Sequence, residues 1–252
     1  MYFYSPFNSM STPLFLLLLI PLIAFLYASV GHGGASGYLA LMAWFAISPS
    51  VMKPTALALN LLVSGIAFIQ FYRRGYFRLD VFWRLALVSI PAAYAGGLIH
   101  TDPVYYKQLL GVFLFFAAAR LLLVFEKEKL LADTPPLFIL FLLGGGIGFA
   151  SGILGIGGGI ILSPILIMAG YTDIKTTAGI SALFIFVNSL AGLGGQFQKG
   201  FHFTTNLLLM ILLALVGGLL GATLGARYFR IPFMKRMLAL VLLIAAMKLV
   251  FV

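Results

Sequence analysis

Apolar residues fill the chain in long blocks, and the blocks are separated by short clusters of glycine, proline and basic residues. In order they cover 14–30, 38–47, 56–72, 81–99 and 105–125, then 137–154, 160–169, 177–197, 206–226 and 233–252. Most have the roughly 17–25 apolar residues of a helix that crosses a bilayer. The second block of each set is shorter, about 10 residues, which as helix spans about 15 Å of a hydrocarbon core about 30 Å thick. Both short blocks follow glycine-rich stretches, 31–37 and 155–159. The pattern predicts half-helices there, either re-entrant or arms of a broken span.

One polar stretch interrupts the pattern, from Glu126-Lys127-Glu128-Lys129 to Asp133-Thr134-Pro135-Pro136. It divides the chain into residues 1–125, a linker at 126–136 and residues 137–252, with five blocks on either side. The two parts also match locally. Gly31-His32-Gly33-Gly34-Ala35 corresponds to Gly155-Ile156-Gly157-Gly158-Gly159, and Lys53-Pro54-Thr55-Ala56 to Lys175-Thr176-Thr177-Ala178. Arg74-Gly75-Tyr76 then parallels Lys199-Gly200-Phe201, and the stretch from Lys107 to Arg120 parallels that from Lys235 to Lys248. Four matches in the same order predict an internal duplication. The expected fold is therefore an all-α integral membrane protein made of two repeats.

Composition narrows the function classes. Only 9% of the 252 residues are charged while 62% are hydrophobic, and the mean hydropathy is +1.12. Soluble domains carry about 25% charged residues, too many for this chain to imitate. There is no cysteine and there are three histidines, so thiolate sites are excluded, a dedicated metal centre is not expected, and no cofactor is implied. The net charge of +10 is spread over loops between apolar blocks, where it meets lipid headgroups rather than nucleic acid.

The charges also predict topology. If each repeat crosses an odd number of times, equivalent loops lie on opposite sides, and Lys and Arg should concentrate on opposite loops. They do. Arg73, Arg74 and Arg78 follow the third block of the first part, against Lys199 in the second; Lys107 follows the fourth block, against Arg227, Arg230, Lys235 and Arg236. With Arg84, Arg120, Lys127, Lys129 and Lys175 placed inside as well, only Lys53, Lys107, Lys199 and Lys248 remain outside. The repeats are expected to be inverted, the linker cytoplasmic, and both termini extracytoplasmic in a multi-pass cell-membrane protein. No Lys or Arg precedes Lys53, so the first block lacks the basic flank of a signal peptide and is expected to stay as a helix.

Paired helix breaks in inverted repeats are how many secondary transporters build a site at mid-membrane, with half-helix N-termini as fixed positive poles. Such poles suit an anion, because unpaired backbone N–H groups and roughly half a positive charge face the ligand. The glycines spaced by four, Gly144, Gly148 and Gly152 with Gly217, Gly221 and Gly225, are better read as helix packing. The dense clusters are not: Gly31, His32, Gly33, Gly34 and Ser36 in the first part, and Gly155, Gly157, Gly158 and Gly159 in the second, are the candidate anion cradle. All six carboxylates, Asp80, Asp102, Glu126, Glu128, Asp133 and Asp173, fall in loops or at block ends, which disfavours a cation pump. His32 is the titratable side chain expected near mid-membrane, and its protonation could couple transport to H⁺. Asn60, Ser64, Thr177, Ser181, Asn188 and Gln196 offer neutral donors, or simply bond neighbouring helices. Lys53 and Lys175 either recruit anions or reach towards headgroups.

These motifs resemble the sulfite exporter TauE/SafE family of membrane permeases, over nearly the whole chain. The resemblance rests on Val30-Gly31-His32-Gly33-Gly34, on Gly152-Ile153-Leu154-Gly155-Ile156-Gly157-Gly158-Gly159, on Lys175-Thr176-Thr177-Ala178-Gly179-Ile180-Ser181 and on the later Gly-Gly segment. The first motif departs from the second by His32 and Ala35, where a closer copy would have Ile and Gly. The resemblance implies transport of sulfite, a sulfonate or a related oxyanion or organic acid. An organic carboxylate transporter and an anion channel are the alternatives. An intramembrane enzyme would need a buried acid to orient its histidine or serine, and none is evident.

Overall fold

The computed structural model describes residues 14–29, 32–123, 136–198, 200 and 206–225, with short runs between 236 and 249. Gly31, nearly all of the linker, both chain ends and the loop carrying Arg227, Arg230 and Lys235 lie outside the described residues. The described elements are α1 (Leu14–Ser29), α2 (Ala35–Trp44), α3 (Pro49–Arg73), α4 (Leu79–Leu98), α5 (Pro103–Leu123), α6 (Leu137–Leu154), α7 (Gly159–Met168), α8 (Ile174–Phe197) and α9 (Leu207–Leu220). A single π-helical turn, Gly221–Gly225, extends α9. No strand occurs among the described residues. The protein is all-α, and α3, α4, α6 and α8 have the length and hydropathy to cross a bilayer.

The polarity of the fold is that of a membrane protein. Phe15, Leu18, Phe116, Phe138, Leu142 and Leu208 are exposed on the outer surface, Phe138 by 74%. Asn60, Ser64, Ser151, Ser163, Thr177, Ser181, Asn188 and Ser189 are buried. Lipid replaces water around such a molecule, so apolar side chains face out and polar ones find partners inside.

Glycine sets how the long helices meet. A Cβ on Gly144, Gly148 or Gly152 of α6 would lie 2.4, 2.4 or 2.0 Å from the carbonyl oxygen of Leu85, Ser89 or Ala93 of α4. Each step of one turn on α6 matches one turn on α4, so the two helices run parallel in backbone contact. The same arrangement joins α9 to α1, where Gly217 and Gly221 press on the carbonyls of Pro21 and Phe25. Between these pairs, α3 and α8 run antiparallel: Leu57 faces Gly192, Asn60 bonds Ser189, and Gly65 faces Phe186.

α2 and α7 have ten residues each, as the short blocks predict. Each starts at a glycine in the left-handed region, Gly34 at φ 97° and Gly158 at φ 81°, a conformation that strains any residue with a Cβ. Several long helices begin earlier than the hydropathy blocks. α3 starts at Pro49, whose missing N–H is harmless in a first turn, and α8 starts behind Asp173, whose carboxylate accepts from the Lys175 and Thr176 N–H groups.

The charged groups sort to two ends. Lys53 donates to Thr101 Oγ1 at 2.7 Å and lies over the Tyr106 ring, and Lys248 bonds the Trp44 carbonyl at the same end. At the other end Arg78 bonds the Tyr171 carbonyl and pairs with Asp80, and Lys175 reaches Tyr76.

Candidate functional site

The two glycine breaks converge on the middle of α3 and α8. A Cβ on Gly33 would lie 1.9 Å from Asn60 Oδ1 and 3.0 Å from Ile185; one on Gly157 would lie 2.2 Å from Asn60 Nδ2 and 2.9 Å from Ser189 Oγ. Gly159 is pressed on Ile185 in the same way. Asn60, 1% exposed, therefore stands between the breaks and touches both. Its Oδ1 accepts from the Ala35 N–H at 3.2 Å, the first amide of α2, and its Nδ2 donates to Ser189 Oγ at 2.9 Å. Those two bonds fix the orientation of the carboxamide, since the reverse would set a donor against the Ala35 N–H.

A second polar chain crosses the same region. His32 Nε2 lies 3.2 Å from Ser163 Oγ on α7, and Ser163 Oγ lies 2.8 Å from Ser181 Oγ on α8 while donating to the Gly159 carbonyl at 2.9 Å. Hydroxyls bonded in series couple the first break to α7 and α8. Ser36, in the first turn of α2, bonds the Tyr27 hydroxyl of α1 at 2.7 Å.

Of the predicted residues, His32, Gly33, Gly34, Asn60, Gly157, Gly158, Gly159 and Ser181 gather around this centre. Gly155 caps α6 towards one end, where a Cβ on it would lie 3.3 Å from Lys53 Cα. Thr177 lies elsewhere, at the start of α8, where its hydroxyl meets that of Thr172 at 2.6 Å. Gln196 donates to the Gly97 carbonyl near the end of α8, and Ser64 to the Leu61 carbonyl of its own helix. Asn188 is fully buried; its Nδ2 bonds the Phe184 carbonyl and its Oδ1 has no partner among the described residues.

Sequence reasoning missed Ser163, Ser189, Tyr38 and Ser151. The Tyr38 hydroxyl and Ser151 Oγ are buried without a partner among the described residues. Tyr38 lies where a Cβ on Gly34 would sit, 2.9 Å away, and Ser151 Cβ is 3.5 Å from the corresponding point on Gly158. Gly34 and Gly158 thus each have one hydroxyl beside them without a partner among the described residues, and such a buried polar group is costly enough to ask what it bonds. A single serine or tyrosine within an apolar helix carries no sequence signal that separates this role from packing.

Side chains stand at the centre, between the two breaks. Asn60 and Ile185 lie between the breaks, and a small pocket lies at one end, lined by Ala28, Ser29, Gln70, Phe71, Arg74 and Ala222. Asp173 lies away from this centre. Burial pushes its carboxyl up, but hydrogen bonds from the Thr176 hydroxyl and from the Thr176 and Lys175 amides outweigh that and hold it below the usual carboxylate range.

Comparison with known proteins gives the family. The family model described as Sulfite exporter TauE/SafE matches residues 16–249. A probable membrane transporter protein of Sinorhizobium fredii is 35% identical over 235 residues, covering 90% of this chain and 94% of the relative. One of Methanocaldococcus jannaschii is 33% identical over 112 residues, 43% of this chain and 42% of that protein. No solved structure gives a significant match. A chain that is apolar outside and polar inside, with helix breaks meeting at its centre, belongs to the sulfite exporter TauE/SafE family of membrane transporters.

Proposed function

We propose that the protein is a secondary transporter of a small sulfur-containing oxyanion, such as sulfite or an organosulfonate, held between the two glycine breaks. The observation that carries this reading is the meeting of the α2 and α7 N-termini at Asn60 and Ile185, at the middle of two membrane-length helices. Two helix N-termini supply convergent N–H groups and partial positive charge, and lipid on all sides strengthens both. The nearby side chains Asn60, Ser163, Ser181, Ser189, Tyr38 and Ser151 are neutral, and among the described residues no carboxylate is found in this layer to repel an anion. The parallel pairing of α4 with α6 and of α1 with α9, around antiparallel α3 and α8, supports an inverted duplication with the linker in the cytoplasm. The sorting of Lys53 and Lys248 to one end and of Arg78 and Lys175 to the other supports the same topology.

Asn60 and Ile185 standing between the breaks fit a carrier, which must close its site between openings, better than a conducting channel. His32, through Ser163 and Ser181, is the group we assign to proton coupling.

Purified protein in liposomes is expected to move sulfite or methanesulfonate with saturable kinetics, and Gly33→Leu or Gly158→Leu to abolish it while the protein still inserts. Saturable movement of acetate but of no sulfur anion would shift the assignment to a carboxylate, and flux that never saturates would favour a channel. Transport whose pH dependence is the same in His32→Gln as in the parent would remove the histidine from coupling.

A further inference from the structure

We propose that Asn60 is an internal cap, a neutral stand-in for the transported anion that seals the α2 pole until substrate displaces it. The inference rests on the reading of the glycine breaks as an anion site. Helix N-termini need acceptors for their first amides, and the usual acceptor is a side chain just before the helix. At α2 that residue is Gly34, which has no side chain, and the acceptor for the Ala35 N–H comes instead from Asn60, 25 residues after Ala35 on α3. At α7 the residue before the helix is again a glycine, Gly158. There no side chain among the described residues accepts from the first amides. One pole is capped and the other is open.

The cap occupies the volume a ligand would need. Asn60 Oδ1 lies within 1.9 Å of a Cβ on Gly33, and its Nδ2 within 2.2 Å of one on Gly157, so both glycines exist in contact with this carboxamide. An anion drawn to the open α7 pole therefore meets Asn60 directly. A full negative charge interacts with a helix N-terminus more strongly than a carboxamide oxygen does, so the anion can take over the Ala35 N–H and release Asn60. An ordinary role for Asn60, as a ligand or as a tie between α2, α3 and α8, makes the opposite prediction for its removal.

The test uses detergent-purified full-length protein, with sulfite as the probe in calorimetric titration and hydrogen exchange followed at the first turn of α2. Asn60→Ala, or Asn60→Ser where alanine gives too little protein, is expected to bind sulfite roughly two- to thirtyfold tighter, the span seen when helix caps are deleted. Asn60→Asp places a charged competitor at the pole and is expected to weaken sulfite at least about tenfold. Weaker or unchanged binding in Asn60→Ala overturns the cap. Hydrogen exchange separates this failure from that of the underlying site. If the unsubstituted protein binds neither sulfite, methanesulfonate nor acetate, the anion reading falls and the competition with it. If exchange at Ala35 is no faster in Asn60→Ala, the cap itself is refuted, whatever binds.

Discussion

Gly146 and Gly152 sit on the same face-rich helix, α6, yet meet opposite surroundings. A Cβ on Gly146 would touch nothing within 4 Å, while one on Gly152 would lie 2.0 Å from the Ala93 carbonyl. Backbone cannot rotate aside as a side chain does, so Gly152→Ala must push α4 away. Thermal unfolding in detergent is expected to show Gly152→Ala losing about 1–3 kcal/mol and Gly146→Ala unchanged or raised by up to about 1 kcal/mol. The helix-propensity gain is common to both, so their difference isolates the contact. At this scale the sequence is legible where residues break a rule. The glycine clusters are too dense for a helix, and the structure places breaks there. Tyr38, Ser151 and Ser163 break none, since each is an ordinary residue of a helix, and only the fold shows which hydroxyls meet the breaks. Thr177 illustrates the reverse case: it shares a motif with Ser181, but its hydroxyl is engaged by Thr172 at the start of α8.

Among elements, the hydropathy blocks locate every described helix but start several of them late. Asp173, Lys175, Pro49 and Pro103 look like loop residues because they are polar or cannot donate, yet those properties suit a first helical turn. Asp173 is the clearest instance, with its carboxylate on the amides of Lys175 and Thr176 and on the Thr176 hydroxyl. Asp173→Ala is expected to cost about 0.5–2 kcal/mol in thermal stability. Because the folded carboxyl titrates below its usual value, this contribution is complete above the ordinary aspartate pKa of about 3.9 and fades as pH falls through the lower folded value. The parent should therefore lose its advantage over Asp173→Ala only in strong acid, measurable as converging melting curves.

For the whole molecule, the charge sorting makes a prediction that chemistry can read directly, since the chain has no cysteine of its own. Lys107→Cys is expected to react with a membrane-impermeant maleimide in intact cells, and Arg74→Cys only once the cells are permeabilised. Labelling of both in intact cells, or of both only after permeabilisation, would overturn the odd-crossing topology. Charge counts reveal this much because the insertion machinery reads the same basic loops. They cannot reveal which helices touch.

The pairing of α1 with α9 has a consequence for how the protein is made. The Ser29 hydroxyl bonds the Gly221 carbonyl across 192 positions of chain, and the carbonyl ridge around Pro21 and Phe25 is shaped for glycines of α9. When α1 leaves the ribosome, its mate has not been translated, and lipid must cover that ridge through most of synthesis. The two halves close on each other like clasped hands, so the first half reaches its final embrace only once the second has arrived.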